Sequence, residues 1–236
     1  MNISKQLVVC GDSFASINAH WPTESQWPSI LGETLGCKSI TLGRGASCNM
    51  YIHAQVKYAI EVLHADYIMV WPTSPNRYVF PLSGEETLDF TANNVASHNS
   101  PDEHNFEYND YNPVYHSHHA EGHTFKRVTA KHERAYNQWL LYLTNPSLDL
   151  YRSKMIIHDI ARMCNFHKVK CLINLSQHNY WNEPKNTAWM EMVSEYVVPL
   201  YGIPIDLGDD DADSPNHIDL HCHRPLGEYL ASQYLK

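Results

Sequence analysis

Two segments of this 236-residue chain combine the residue types that nucleophilic catalysis requires. In the first, Ser13 stands shortly after the apolar run at residues 6–10. In the second, Asp219 precedes His221 by two residues, and another histidine, His223, follows. A serine hydroxyl becomes a nucleophile when an imidazole accepts its proton, and a carboxylate fixes the tautomer of that imidazole. The two segments together therefore predict a Ser–His–Asp triad, with one of the two histidines as its base.

Glycine-containing turns follow the first two predicted strands. Gly11 lets the chain turn sharply and approach a ligand closely, and Asp12 braces the turn that presents the serine. In the second turn, Gly45 precedes a predicted helix, and backbone N–H groups at such a helix start stabilise a developing oxyanion. Ordinary turn chemistry, with Ser47 or Asn49 as the helix N-cap, accounts for the same residues without catalysis.

Polar side chains also follow the third predicted strand. Thr73, Ser74, Asn76 and Arg77 come directly after it, which places them in the same crevice of an open α/β sheet. Arg77 either binds a carboxylate or phosphate of a substrate or pairs with an acidic residue at the rim, and Arg44 admits the same two interpretations. The prolines, serine and asparagine here also suffice to make a simple turn.

The elements that must position these residues alternate along the chain. Strands are predicted at 6–10, 38–42, 67–71, 169–175 and 203–207, and helices at 27–35, 49–64, 148–165, 187–198 and 225–235. The strands are short apolar runs, whereas the helices carry apolar residues at helical spacing. Such alternation is typical of an α/β fold with a mostly parallel sheet.

Residues 81–130 break this alternation, because they are polar and rich in His, Asn, Asp and aromatic side chains. Seven of the 16 histidines lie in or just past this segment, at positions 98, 104, 116, 118, 119, 123 and 132. Closely spaced imidazoles chelate zinc, but no cysteine or carboxylate completes a recognisable motif here. We therefore expect a lid or binding loop rather than a metal site, and no cofactor. A metal-dependent hydrolase that uses this segment is the alternative.

Composition and charge exclude several classes of function. The formal net charge is −9, so the chain lacks the basic surface that binds nucleic acids and anionic membranes. No stretch approaches the roughly 20 apolar residues of a membrane span, and the N-terminus lacks the long apolar core of a signal peptide. We expect no nucleic-acid or membrane partner and a cytoplasmic location, with the six cysteines reduced.

Taken together, the motifs resemble the SGNH, or GDSL-type, hydrolase superfamily. The resemblance covers most of the chain apart from residues 81–130. It rests on Gly11-Asp12-Ser13, on Gly45 with Asn49, and on Asp219-x-His221. It is closest to the phage and bacterial branch, on Trp27-Pro28, Ser47-Cys48-Asn49 and the run from Trp71 to Arg77. It implies a three-layer α/β/α sandwich of flavodoxin-like type, with one domain over residues 1–236 and residues 81–130 as an insert. For a viral chain, the location becomes the host cytoplasm or the virion.

The resemblance also implies a role for individual residues. Ser13 would be the nucleophile, and His221 would be the general base and then the general acid. Asp219 would orient His221, while the backbone N–H groups of Ser13 and Gly45 would stabilise the oxyanion. His223 is an alternative base, although the spacing of His221 to the aspartate and to the last helix fits the branch better.

One superfamily feature is missing from this chain. The third block usually supplies an asparagine side chain to the oxyanion hole, and no matching Gly-x-Asn is present. Thr73 is nearest by strand position, and Ser74 and Asn76 are its neighbours. Losing one oxyanion donor typically costs about 10²–10³ in rate. Either a hydroxyl therefore replaces the amide, or the activity is weak.

These residues favour a serine esterase that acts on an acetylated sugar, a lipid or a small acyl ester. Aromatic side chains in the insert suit a carbohydrate better than a long acyl chain; they are Phe106, Tyr108, Tyr111 and Tyr115. The residues predicted to contact the substrate are Asp12, Asn49, Ser74, Asn76 and Arg77. The absent asparagine favours the alternative, a binding or structural protein on the same fold that is catalytically weak or inactive.

Overall fold

The computed structural model describes residues 5–17, 21–44, 47–75, 145–175 and 218–235, the strands at 78–81, 113–116 and 197–198, and residues 189, 193 and 196. Within these ranges the strands are β1 (Gln6–Gly11), β2 (Lys38–Thr41), β3 (Tyr67–Trp71), β4 (Tyr78–Pro81), β5 (Pro113–His116), β6 (Lys170–Asn174) and β7 (Val197–Val198). The helices are α1 (Trp27–Leu35), α2 (Asn49–Glu61), α3 (Pro146–Phe166) and α4 (Leu220–Tyr234), with short 3-10 turns at Ser13–Ala15 and Thr23–Ser25.

Among the described residues, the main sheet has five parallel strands in the order β2-β1-β3-β6-β7. The chain leaves β1 toward β2 on one side and then returns to place β3 on the other side. The strand order therefore reverses at β1, which is the switch point where open α/β sheets bind ligands. This arrangement confirms the predicted flavodoxin-like architecture with about five mostly parallel strands.

Helices cover both faces of the sheet, which makes the three predicted layers. Successive residues of β1 point to opposite faces. Val8 and Cys10 belong to the core beneath α2 and α3, whereas Leu7 and Val9 belong to the core beneath α1 and α4. Burial on both faces explains why β1 reads as a continuous apolar run rather than an alternating one.

The C-terminal third differs from the prediction in two places. Val197 and Val198 form β7 beside Ile173 and Asn174, so the end of the helix predicted at 187–198 is a strand. Valine is β-branched and favours strand over helix, which explains the change. The strand predicted at 203–207 lies outside the described residues. In addition, α4 begins at Leu220, five residues before the predicted start.

A second, two-stranded antiparallel sheet joins β4 to β5, with Tyr78 opposite His116. β5 lies inside the segment predicted as an insert, and the remainder of residues 82–130 falls outside the described residues. The single-domain organisation with an insert therefore stays a prediction. In the part of the chain that the structure describes, no helix is long and apolar enough to cross a membrane.

Candidate active site

Ser13 lies in a tight turn at the carboxyl end of β1. The carboxylate of the preceding Asp12 is buried and accepts a hydrogen bond from the Phe14 N–H at 3.1 Å, which caps the 3-10 turn that begins at Ser13. The Ser13 carbonyl accepts hydrogen bonds from the Ser16 N–H (3.2 Å) and hydroxyl (2.7 Å). Ser13 itself is 7% exposed. The turn thus places the serine at the switch point, and hydrogen bonds to Asp12 and Ser16 fix the backbone around it.

The loop that follows β2 passes directly against this turn. Its Arg44 N–H donates to the Gly11 carbonyl at 3.1 Å. A Cβ atom on Gly43 would overlap the backbone of Ala15, and one on Gly11 would lie 2.6 Å from the Ala15 Cβ. Only glycine at position 43 therefore permits this approach of the two loops, and Gly11 gives room within the turn itself. Gly45, the predicted oxyanion donor one position beyond Arg44, lies outside the described residues.

Asn49 fixes the chain beyond the end of β3. Its Oδ1 accepts from the Thr73 N–H at 2.9 Å, and its Nδ2 donates to the Thr73 carbonyl at 3.0 Å. The same Nδ2 also donates to the Ser153 hydroxyl of α3 at 3.2 Å. Asn49 is buried, so its carboxamide is occupied by protein groups. Sequence reasoning missed Ser153, which faces the site from a helix remote in the chain.

Thr73 is fully buried, and its neighbour Ser74 is buried as well. Among the described residues, the Thr73 hydroxyl has no hydrogen-bond partner. A buried hydroxyl without a partner costs about 1–3 kcal/mol, so such a group calls for an explanation. The side chain of Asn49 thus fixes the backbone of Thr73 at the end of β3.

Gln55 holds the end of β1 in the same way. The Gly11 N–H donates to Gln55 Oε1 at 2.7 Å, and Gln55 Nε2 donates to the Gly11 carbonyl at 3.2 Å. The side chain is fully buried. Sequence reasoning missed this residue, although a signal was present. Gln55 shares the helix face of Ile52 and Ala59, and a glutamine on an apolar stripe needs a buried polar partner.

The two C-terminal histidines have opposite environments. His221 is exposed, whereas His223 is fully buried. The Trp27 N–H donates to His223 Nδ1 at 2.9 Å, and His223 Nε2 donates to the Ile218 carbonyl at 3.2 Å. Burial lowers the pKa of His223 to about 4, so the ring is neutral near pH 7. Both ring nitrogens of His223 are occupied, which favours His221 as the base.

Asp219 is the N-cap residue of α4, and its side chain makes no capping hydrogen bond. It is half-buried, two positions before the exposed ring of His221. Among the described residues, neither the Asp219 carboxylate nor the Ser13 hydroxyl is hydrogen-bonded to that ring. The structure thus places the candidate base in the first turn of α4 without the contacts of an assembled triad.

Three aromatic rings pack against one another beside the serine turn. Phe14 stacks on Trp71 with ring centroids 5.9 Å apart, and Trp71 in turn packs against Trp27 at 5.4 Å. The Trp27 indole N–H donates to the Phe14 carbonyl at 3.0 Å. A rigid aromatic base therefore fixes the position of the turn that carries Ser13.

Several predicted contacts have a different position or lie outside the described residues. The Arg44 guanidinium donates to the Tyr51 hydroxyl at 3.0 Å, a partner that the sequence did not suggest. Asn76, Arg77 and the four insert aromatics lie outside the described side chains. So do the side chains of the histidines at 116–123. Within the described ranges, no group of three His, Cys, Asp or Glu residues is arranged to hold a metal ion.

No protein-family model and no curated protein sequence matches this chain. Solved structures do match it over nearly its whole length. One, from Desulfitobacterium hafniense, is described as a lipolytic protein of the G-D-S-L family; it is 10% identical, with a TM-score of 0.51, over 97% of this chain and 99% of that one. TesA gives the same identity and TM-score, over 97% of each chain.

The psychrotrophic esterase EstA from Pseudoalteromonas, in a structure inhibited by monoethylphosphonate, is 8% identical with a TM-score of 0.52, over 98% of each chain. At such low identity these likenesses show the fold alone. The chain has the α/β fold that these lipolytic and esterase structures share, which agrees with the fold implied by its sequence motifs.

Proposed function

We propose that this protein is a serine ester hydrolase with Ser13 as its nucleophile. The observation that carries the proposal is the position of Ser13 in a capped turn at the carboxyl end of β1, where the strand order reverses. The names of the matching structures, a lipolytic G-D-S-L protein and an esterase, support the same class of reaction.

In the proposed reaction, the Ser13 hydroxyl oxygen attacks the carbonyl carbon of an ester while His221 accepts the hydroxyl proton. The tetrahedral intermediate collapses, and His221 returns this proton to the leaving alcohol. Water then attacks the acyl-enzyme, with His221 as base again, and releases the carboxylic acid and free Ser13. Asp219 orients the ring once substrate binding closes the site, because catalytic hydrogen bonds are often long before that point.

We assign the oxyanion to three donors: the backbone N–H groups of Ser13 and Gly45, and the hydroxyl of Thr73. The buried Thr73 hydroxyl has no hydrogen-bond partner among the described residues, and its backbone is fixed at the end of β3. By strand position, Thr73 is the residue nearest to the asparagine that the superfamily usually supplies. A hydroxyl donates one hydrogen bond, so it replaces the amide in this role.

The side chains of Asp12 and Asn49 are bound to backbone groups, so we assign the substrate contacts to Ser74, Asn76 and Arg77. We assign Asp12 and Asn49 to support of the site instead. The net charge of −9 favours a neutral or weakly charged ester over a polyanion. Within that class we propose a small acyl ester or an acetylated carbohydrate as the substrate.

The second candidate is a binding protein that has kept this fold without catalysis. Two observations favour it: the third-block asparagine is absent, and His221 makes no hydrogen bond to Ser13 or Asp219 among the described residues. Such a protein would bind an ester or sugar in the same crevice and release it unchanged.

Hydrolysis of p-nitrophenyl acetate by the wild type and by Ser13→Ala decides between the two. An exposed serine on α4 provides the matched control, Ser232→Ala, which we expect to act like the wild type. Loss of the enzymatic rate in Ser13→Ala alone supports the hydrolase. Equal background rates in all three proteins would rule out the proposed hydrolase. Activity lost on treatment with a chelator would instead favour the metal-dependent alternative.

A further inference from the structure

Helix α2 holds two neighbouring strand ends with two buried carboxamides. Gln55 binds both the N–H and the carbonyl of Gly11, at 2.7 and 3.2 Å. Asn49 binds both the N–H and the carbonyl of Thr73, at 2.9 and 3.0 Å. Each side chain thus pairs with one residue through a donor and an acceptor, as the backbone of an adjacent strand would.

Beyond the pairing with β2, the Gly11 N–H and the backbone of Thr73 need partners, whereas the Gly11 carbonyl also accepts from the Arg44 N–H at 3.1 Å. Pairing between β1 and β2 ends with Val9 opposite Thr41, two residues before Gly11. Pairing between β3 and β6 ends at Val70, before Thr73. Buried backbone donors and acceptors need partners. A neutral carboxamide supplies one donor and one acceptor without the cost of burying a charge.

The spacing along α2 matches the spacing of the two strand ends. Gly11 lies opposite Trp71, so Thr73 is offset from it by one strand and two residues. If the chain stays extended to Thr73, this offset places Gly11 and Thr73 about 8 Å apart. The six residues from Asn49 to Gln55 rise by about 9 Å along the helix. One rigid helix can therefore hold both strand ends at a set separation.

We infer that Asn49 and Gln55 are positioning residues that fix the turn of Ser13 relative to Thr73. The inference rests on the proposed function, in which Ser13 is the nucleophile and Thr73 an oxyanion donor. Neither carboxamide touches the substrate. Both act through the backbone, so their loss displaces the reacting groups by a fraction of an ångström to an ångström, a shift that can cost about 10²-fold in rate.

The first test removes the paired hydrogen bonds with side chains of similar size, Gln55→Met and Asn49→Leu. We expect kcat on p-nitrophenyl acetate to fall about 10–100-fold, while KM changes less than about threefold because uniform binding is retained. The matched control is Val56→Ala, which removes buried apolar volume from the same helix and leaves both carboxamides in place. It should lose stability and keep its kcat.

The second test uses Gln55→Glu, because a protonated carboxylic acid restores both missing groups. Its carbonyl accepts from the Gly11 N–H, and its hydroxyl donates to the Gly11 carbonyl. Burial favours the neutral form of such an acid. The ratio of kcat in Gln55→Glu to kcat in the wild type should therefore rise as the pH falls. A side chain that merely fills space would give a ratio independent of pH.

A readout that needs no activity separates this inference from the proposed function. Amide hydrogen exchange at Gly11 should accelerate at least about tenfold in Gln55→Met relative to Val56→Ala of equal global stability. Suppose that the wild type hydrolyses no ester but that Gly11 exchange accelerates in Gln55→Met. The role of the carboxamide in holding the strand end is then supported, and the proposed function fails. If the wild type is active through Ser13 and both Gln55→Met and Asn49→Leu keep the wild-type kcat and exchange rates, the positioning role is overturned.

Discussion

The backbone N–H of Trp27 donates a 2.9 Å hydrogen bond to Nδ1 of His223, 196 positions later in the chain. The indole of the same tryptophan donates to the Phe14 carbonyl at 3.0 Å. Trp27 therefore joins the turn that carries Ser13 to the first turns of α4, where His221 lies. Since His223 Nε2 donates to the Ile218 carbonyl, the ring must be neutral with its proton on Nε2 for both bonds to form.

This arrangement makes stability depend on pH. Burial lowers the pKa of His223 to about 4, from an ordinary value of 6.5. The unfolded chain therefore binds this proton more readily than the folded one. The free energy of unfolding is highest above pH 6.5 and falls as the pH drops toward 4, by about 3 kcal/mol for this group. Urea unfolding at pH 7.5, 5.5 and 4.5 measures the loss.

Replacement of the titrating ring should reduce this pH dependence. We expect His223→Gln to be less stable than the wild type at pH 7.5, and its stability should change less between pH 7.5 and 4.5. His221→Gln provides the control, because the exposed ring of His221 lies two positions away. It should follow the wild-type curve. An identical pH dependence in His223→Gln and the wild type would contradict this assignment.

The indole hydrogen bond of Trp27 should support catalysis as well as stability. Trp27→Phe keeps an aromatic ring against Trp71 but leaves the Phe14 carbonyl without this donor. We expect a loss of about 1–2 kcal/mol in the free energy of unfolding and a lower kcat, because the serine turn loses a support.

The chain offers a matched variant for this test in Trp189→Phe. The Trp189 indole donates to the Lys154 carbonyl of α3 at 3.1 Å, and neither residue belongs to the turn that carries Ser13. It should lose comparable stability and keep the wild-type kcat. Equal kcat in the two tryptophan variants, measured on p-nitrophenyl acetate, would show that the Trp27 bond serves the fold only.

The two histidines should separate activity from stability. In His221→Asn the proposed base is lost, so kcat should fall by about 10³-fold or more, while the melting temperature stays close to that of the wild type because the ring is exposed. In His223→Asn the larger effect should be on the melting temperature, since two buried hydrogen bonds are altered. The reverse pattern would make His223 the base.

The sequence predicted the sheet better than it predicted the site. Apolar runs located β1, β2, β3 and β6 to within one or two residues, because central parallel strands are buried on both faces. It favoured His221 over His223 on spacing alone. Two positions in a helix differ by about 200° in direction, and the choice required knowing that α4 begins at Leu220. Pro225 suggested a later start, since proline favours the first turn of a helix.

The supports of the site were harder to predict, because their partners are distant in the chain. Gln55 and Gly11 are 44 positions apart, and Asn49 and Ser153 are 104 positions apart. Their residue types indicate that Gln55 and Asn49 need polar partners when buried. Only the packing of α2 and α3 over the sheet identifies those partners. The motif Gly11-Asp12-Ser13, by contrast, is local, and its turn could be predicted from neighbouring residues alone.

The contact between the two glycine loops yields the last prediction. In Gly43→Ala the new Cβ overlaps the carbonyl oxygen and carbonyl carbon of Ala15, which cannot move without displacing the turn that begins at Ser13. We expect a loss of about 3 kcal/mol or more in stability and a large loss of kcat.

Two further variants identify the cause of that loss. Adding Ala15→Gly to Gly43→Ala removes one overlapping Cβ but leaves the backbone overlap, so it should not rescue either property. In Gly36→Ala the new Cβ meets no neighbouring atom, but the residue keeps a φ of 66°. This backbone conformation should lower the free energy of unfolding by about 1–2 kcal/mol. The variant should keep the wild-type kcat. Urea unfolding and ester hydrolysis measure both quantities. Full rescue by Ala15→Gly would show that side-chain crowding alone, rather than the approach of the two backbones, requires glycine at position 43.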